Sequence, residues 1–277
     1  MEILAIDVGN TSVLFGHFKG AKLKKTFRIS TQNFVGARSS RPGRGNLAPT
    51  VGRIRKIIPL KNVDAAVIAS VVPEAGQRLK KIFSQKFKIK TYLIGRDLQA
   101  PILNRYRDPK QVGIDRLVNA VAAYHKTRKE AIVIDFGTAI TFDVISKKGE
   151  YLGGVIAPGI ELSLEALFQK TALLPKIRLA HPKRVVGKDT VESIRAGCSV
   201  GIGGLCDRVV SEITRAQNFK PVVIATGGYA KFMSRYCKNI QAIDPHLTLK
   251  GIRLTYLART LTFSQIGPCP PAPRHLA

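Results

Sequence analysis

No run of about 18 apolar residues occurs in this chain, so no membrane-spanning helix is expected. Cysteines are few and scattered: Cys198, Cys206, Cys237 and Cys269 stand far apart, with no CxxC pair. That pattern argues against a disulfide framework or a zinc site and for thiols in a reducing, cytoplasmic setting. The opening Met1-Glu2-Ile3-Leu4 has no basic segment before an apolar stretch, so no secretory leader is expected. The phosphate-binding GK[ST] loop, the GxGxxG fingerprint and the GxSxG elbow are all missing, and the five histidines show no metal-ligand spacing. Acidic residues are the scarcest class for a chain of this size. Asp and Glu number 18 against 45 Lys and Arg, a net charge of +27. From Val8 to Val63 there are twelve basic residues and no acid, and from Arg78 to Lys90 six more and again none. Such an excess favours anionic ligands. Aromatics are sparse among those charges, as at Phe27 and Phe34, and form no base-stacking platform, so a solvated basic face rather than a specific nucleic-acid site is expected.

What remains is an ordinary globular composition, 45% hydrophobic and 23% charged over 277 residues, enough for one large or two modest domains. LAIDVGNTSVLFGHF reads as strand, tight turn, strand, with Leu4, Ile6 and Val8 alternating before Gly9-Asn10. Residues 32–52, rich in Gly, Pro, Ser and Arg, predict an exposed loop, followed by a short basic helix over Gly52–Leu60. A buried strand is expected over 63–73, a helix over Glu74–Phe87 and a strand over Lys90–Ile94. Asp108-Pro109-Lys110-Gln111 has the composition of a helix start, with Leu117, Val118, Val121 and Ala122 at helical spacing beyond it. AIVIDFGTAITFDVI (131–145) is again strand, turn, strand. YLGGVIAPG leads into a helix over Ile160–Phe168, a long helix is expected over Thr190–Arg215, and PVVIATGG joins a strand to a helix. The proline-rich tail from Phe263 is expected to be disordered.

One internal repeat organises the chain. Ile6-Asp7-Val8-Gly9 and Ile134-Asp135-Phe136-Gly137 share Ile-Asp-x-Gly, each closing an apolar strand and opening a hairpin, with Thr11 or Thr138 just after. Two related α/β halves are therefore expected, over 1–115 and 116–262, with 263–277 as a tail. Glycine lets a backbone approach phosphate closely, turn N–H groups and a Thr hydroxyl can cradle its oxygens, and an Asp can hold hydrated Mg²⁺. A single such hairpin is ordinary turn chemistry. Two at matching positions, with a third glycine turn at Thr226-Gly227-Gly228, point to a nucleotide. Gly113-Ile114-Asp115-Arg116 sets an acid beside a guanidinium, either a general base next to a carboxylate clamp or a surface charge pair.

Taken together and in order, IDVGNT, RYRDPKQVGIDRLVNA, IVIDFGTAITFDV, YLGGVIAPGIELSLEALFQKTALLP, GKDTVESIRAG and VIATGG resemble the type III pantothenate kinases, over about residues 1–30 and 60–260. That family belongs to the acetate and sugar kinase/Hsp70/actin superfamily. The resemblance implies two ribonuclease-H-like (actin-like ATPase) domains around a nucleotide cleft, and ATP-dependent phosphorylation of pantothenate, the first step towards coenzyme A. By position, it implies that Asp7, Gly9, Asn10 and Thr11 form the first phosphate motif, with Asp7 nearest Mg²⁺ and holding it through water. Thr138 would contact ATP, and Gly227 and Gly228 the adenosine. Asp115 would be the base. Tyr106, Gly113, Ile114, Arg116 and Thr190 would line the pantothenate site, and Asp135 would help hold a monovalent cation, K⁺ or NH₄⁺. A homodimer is implied as well. Three positions depart from the usual family pattern: the basic segment Asn33–Thr50 replaces an acidic helix, Asp108 replaces Asn and Ile114 replaces Ala. The rival reading on the same fold is a non-catalytic transcriptional accessory factor, favoured by the basic surface and disfavoured by intact Asp7, Asp115 and Asp135.

Overall fold

Ile3, Leu4, Ala5, Ile6 and Val8 are all buried, because the first strand lies mid-sheet with a helical layer on each face. The computed structural model describes residues 1–35, 48–58 and 60–259. In chain order its strands are β1 Glu2–Val8, β2 Ser12–Lys19, β3 Lys22–Ser30, β4 Ala65–Ser70, β5 Lys90–Leu93, β6 Leu103–Asn104, β7 Ala131–Phe136, β8 Ala139–Ile145, β9 Glu150–Pro158, β10 Val222–Thr226 and β11 Ala242–Ile243. Its α-helices are α1 Ala48–Ile57, α2 Pro73–Lys81, α3 Ile114–Thr127, α4 Ile160–Lys170, α5 Thr190–Ala196, α6 Ile202–Gln217, α7 Ala230–Met233 and α8 Leu247–Leu257.

The expected repeat is present in the topology. One sheet runs β3-β2-β1-β4-β5 and the other β11-β10-β7-β8-β9-β6. In the first, β1 and β2, and β2 and β3, are antiparallel, while β4 lies parallel to β1 and β5 to β4. In the second, β7, β8 and β9 form the same antiparallel meander, and β10 and β11 continue parallel to β7. Apart from the edge strand β6, the two sheets share one ribonuclease-H-like strand order. Each Ile-Asp-x-Gly closes the first strand of its sheet.

The chain divides into one unit of Met1–Leu103, Arg107–Lys126 and the chain from Leu247 onward, and a second of Asn104–Tyr106 and Thr127–His246. This differs from the expected cut at 115/116, which would sever α3 after its second residue. Helix α3 stays with the first unit through Lys126, and α8 returns to it. The return has a packing cause: a Cβ at Gly251 would lie 1.9 Å from the Val118 carbonyl oxygen, so only a bare backbone lets α8 cross α3 there. In the first unit, one sheet face packs Leu4, Ile6, Phe15, Ile68, Leu79 and Phe83, and the other packs Ile3, Ala5, Val67, Val118, Leu249 and Ile252. In the second, Ile132, Ile134, Phe142, Val210, Val223 and Met233 form the core.

Local expectations are refined in four places. The loop expected over 32–52 ends early, because α1 begins at Ala48; residues 36–47 and the tail 263–277 lie outside the described residues. Asp108 caps a 3₁₀ turn over Pro109–Gln111, accepting the Lys110 N–H at 3.1 Å, and α3 starts separately at Ile114. The helix over 74–87 is α2 extended by a wider π turn, Ile82–Lys86. The long helix from Thr190 is α5 and α6 joined by a second π turn, Gly197–Gly201. Overpacking a tight core contact costs about 1–3 kcal/mol. Gly251→Ala should therefore lower stability in urea unfolding by about that amount; a change within about 0.5 kcal/mol, usual for exposed positions, would contradict the α3–α8 packing.

Candidate active site

In the first unit the end of β1 delivers Asp7, partly buried, to a pinned turn. The Gly9 N–H donates to the Ser12 carbonyl at 3.0 Å, the Thr31 N–H to the Thr11 carbonyl at 3.0 Å, and the Thr31 hydroxyl to the Gly9 carbonyl at 2.7 Å. Arg28 Nη1 donates to Ser12 Oγ at 3.0 Å, placing a guanidinium at the same turn. Asn10 and Thr11 are left exposed at the tip. A rigid turn with exposed polar side chains and a nearby cation is suited to phosphate oxygens.

Gly113 opens α3, its carbonyl accepting the Arg116 N–H at 3.1 Å and the Leu117 N–H at 3.4 Å. Asp115 Oδ1 accepts the Arg116 N–H at 2.8 Å. A Cβ at Gly113 would lie 2.5 Å from Asp115 Oδ1 and 3.6 Å from Val71 Cγ1, while the Val71 N–H donates to the Val8 carbonyl at 3.0 Å. The carboxylate of Asp115 is thus seated against a bare glycine, one packing layer from the strand end that carries Asp7. Burial pushes the Asp115 carboxyl above its ordinary range, outweighing the downward pull of the Arg116 N–H and guanidinium. Arg116 is itself buried, and the Ile114 side chain turns into the apolar cluster of Ile94 and Val118. Of these two expected substrate residues, Ile114 therefore spends its side chain on packing.

In the second unit three turns interlock. The Gly137 N–H donates to the Ala139 carbonyl at 3.1 Å and the Gly159 N–H to the Thr138 carbonyl at 3.1 Å. A Cβ at Gly159 would stand 2.1 Å from that Thr138 oxygen, so α4 can start here only from a glycine. Gly227 has φ +89°, and a Cβ there would lie 2.4 Å from Asp135 Oδ1 and 2.7 Å from the Phe136 backbone. The Tyr229 N–H donates to the Phe136 carbonyl at 3.4 Å, and the Tyr229 hydroxyl donates to Glu161 at the start of α4. Burial and that carboxylate push the Tyr229 phenol up to about 12. Asp135, exposed Thr138 and the open Gly227-Gly228 turn therefore form one constellation. Tyr106 lies elsewhere in this unit, over Gly153 of β9. Thr190 begins α5 behind its cap Asp189, on a cavity of about 600 Å³ lined also by Leu167, Leu174, Lys188 and Ser193.

Motif reading missed three contributors. Gly159 and the Glu161–Tyr229 pair lock the nucleotide-side turns, and the Pro-Gly punctuation of APG was their signal only in outline. Asp143, fully buried in β8, lies near the end of the IVIDFGTAITFDV stretch, which by itself marks no role for it.

The donor sets suit hard cations. Among the described residues no three His, Cys, Asp or Glu side chains gather as a metal group. A single partly buried carboxylate at each hairpin fits ions whose remaining ligands are phosphate oxygens, backbone carbonyls or water.

The raised Asp115 pKa has a stability consequence. The unfolded chain loses this proton first as pH rises, so between the unfolded and the higher folded pKa the folded state binds more protons and stability falls. Asp115→Asn should accordingly be at least as stable as the parent at pH 7, with the gap closing as pH falls below the ordinary carboxylate range. Thermal melts over pH check this, and a variant less stable at pH 7 than at pH 4, relative to the parent, would contradict it.

Comparison with known proteins locates this constellation in a family. Residues 3–212 match the family model described as type III pantothenate kinase. The type III pantothenate kinase of Myxococcus xanthus (strain DK1622) is 40% identical over 254 residues, covering 92% of this chain and 97% of that protein. That of Syntrophus aciditrophicus (strain SB) is 41% identical over 256 residues, covering 92% and 98%. Among solved structures, a Campylobacter jejuni protein assigned to the Baf family of transcriptional activators superposes with a TM-score of 0.58 at 20% identity, covering 92% of this chain and 98% of that one. Component A of the (R)-2-hydroxyglutaryl-CoA dehydratase of Acidaminococcus fermentans superposes with 0.52 at 13% identity, covering 96% and 99%. Those two likenesses bear on fold alone. The sequence matches run nearly end to end through the turns described above, and by them the chain belongs to the type III pantothenate kinase family.

Proposed function

We propose that this protein transfers the γ-phosphoryl group of ATP to the hydroxyl of pantothenate, giving 4′-phosphopantothenate and ADP at the entry to coenzyme A biosynthesis. The observation that carries this reading is the seat of Asp115 against Gly113, within a sequence that matches the family from residue 3 to 212. Asp115 is the base: the pantothenate hydroxyl oxygen bonds to the γ-phosphorus, the bond to the ADP oxygen breaks, and the hydroxyl proton passes to the Asp115 carboxylate. A carboxyl raised by burial is a stronger base than an ordinary aspartate. Phosphoryl transfer of this kind depends mainly on positioning and charge neutralisation. Gly9, Asn10 and Thr11 take phosphate oxygens, Thr138 and the Gly227-Gly228 turn take the rest of the nucleotide, and Arg116, Gly113, Tyr106 and Thr190 form the pantothenate side. Asp7 holds Mg²⁺ through water, and Asp135 holds a monovalent cation, K⁺ or NH₄⁺, that supplies positive charge near the triphosphate.

A homodimer fits the second unit, where Ile156, Leu162, Leu173, Val185 and Val186 are exposed apolar side chains on and beside β9 and α4. The three described cysteines are free and buried, which supports the reducing, cytoplasmic setting. The accessory-factor reading is not favoured, since the relatives that match the sequence at length are named as kinases.

Removing a general base usually costs about 10²–10⁴-fold in rate. Asp115→Asn should lower kcat in that range while ATP still binds; a kcat near the parent's would contradict the base. The parent's activity should decline on acidification at a pH above the ordinary carboxylate range, following the upward direction of the Asp115 shift. Replacing K⁺ and NH₄⁺ by Tris should abolish turnover, and Asp135→Asn should do the same in K⁺. Full activity in cation-free buffer would remove the cation role.

A further inference from the structure

We propose that Asp143 and Tyr151 form a positioning pair that fixes Tyr106 and thereby sets the affinity for pantothenate. The inference rests on the assignment of Tyr106 to the pantothenate side. Asp143 sits in the middle of β8 at 0% exposure. An acid in such a place is expensive to bury, and an apolar residue of similar size would serve the sheet better. Its partners are specific. The hydroxyl of Tyr151, itself 0% exposed on β9, donates to Asp143 Oδ1 at 3.1 Å, and Thr141 Oγ1 donates to Oδ2 at 3.4 Å.

Tyr151 leads directly to Tyr106. Their ring centroids are 6.4 Å apart at an interplanar angle of 46°. Beneath the same ring lies Gly153, with φ +127°; a Cβ there would stand 3.6 Å from Tyr106 Cδ2 and Cε2. The chain just before the ring is fastened to β9. The Arg105 N–H donates to the Tyr151 carbonyl at 2.8 Å, and Arg105 Nε and Nη2 donate to Glu150 Oε1 at 3.0 and 2.6 Å. The Tyr106 N–H donates to Asn104 Oδ1 at 3.0 Å. The backbone of Tyr106 is therefore held by Arg105 and Asn104, while its ring has Gly153 as a floor and Tyr151 as a wall. That wall is tied to the sheet by the Tyr151–Asp143 bond. Removing the bond loosens the phenol of Tyr151 and weakens the lateral stop on the Tyr106 ring. The contacts named run from Asp143 to the Tyr106 ring, so the effect expected is on substrate binding.

Steady-state kinetics of the full chain test the pair. Losing a hydrogen bond to a charged group corresponds to about a tenfold change in affinity. Tyr151→Phe should raise KM for pantothenate by about tenfold while KM for ATP and kcat change by less than about twofold. Asp143→Leu, which has no acceptor, should do the same, and the double variant should be no worse than the more impaired single one, because both remove one interaction. Tyr106→Ala in the same assay separates the two levels of the argument. If Tyr106→Ala leaves KM for pantothenate unchanged, the assignment of Tyr106 fails and this proposal with it. If Tyr106→Ala raises it and Tyr151→Phe does not, the positioning pair alone fails. A parallel loss in both KM values or in kcat for Tyr151→Phe marks a general structural role and also overturns the pair. Should Asp143→Leu not fold, Tyr151→Phe alone decides, its selective rise in KM for pantothenate supporting the pair and the absence of that rise overturning it.

Discussion

Two of the three aspartates proposed for base chemistry or cation binding, Asp115 and Asp135, rest against a glycine that has no room for a side chain. A Cβ would approach Asp115 Oδ1 to 2.5 Å at Gly113 and Asp135 Oδ1 to 2.4 Å at Gly227. This bare-backbone seat is the constraint on which the rest depends. It fixes where each carboxylate points and explains why glycine turns stand at these positions instead of ordinary loop residues. For Asp115 it also works with burial, which raises the carboxyl and suits it to accept a proton.

The duplicated sheet order makes this arrangement economical. Each unit offers a hairpin at the end of its first strand, with an aspartate on the strand and a glycine in the turn. The two copies then diverge. In the first unit the neighbouring helix α3 brings a second acid, Asp115, to the strand end through Val71. In the second, the β10 turn and the start of α4 close over the hairpin through Gly227, Gly159 and the Tyr229–Glu161 bond. One copy thus carries a buried carboxylate and the other a closed set of turns, and the proposed division of labour between acceptor and nucleotide follows that difference.

Much of this was legible in residue order, for physical reasons. Alternating apolar residues before Gly9 and Gly137 mark strands that turn at once, and such local signals survive any tertiary context. The errors share one cause, which is contact between residues distant in sequence. Asp108-Pro109 carries every mark of a helix cap but serves a 3₁₀ turn, because Gly113 restarts the chain against Asp115. The return of α8 to the first unit depends on Gly251 meeting Val118, which no periodicity encodes. Tyr106 lies a few residues before α3 yet is fastened to β9 in the second unit. The Ile114 side chain, expected at the substrate, is drawn into the apolar cluster beside it. Asp143 carried only the weak signal of an acid in a mostly apolar strand.

The central claim is that these seats bind ATP and pantothenate for phosphoryl transfer. The most direct measurement is ADP release by a coupled assay with Mg²⁺ and K⁺ present, with and without pantothenate. ADP release that requires pantothenate, with 4′-phosphopantothenate formed in equal amount, is the predicted result. ADP release indifferent to pantothenate, or none in its presence, would contradict the account.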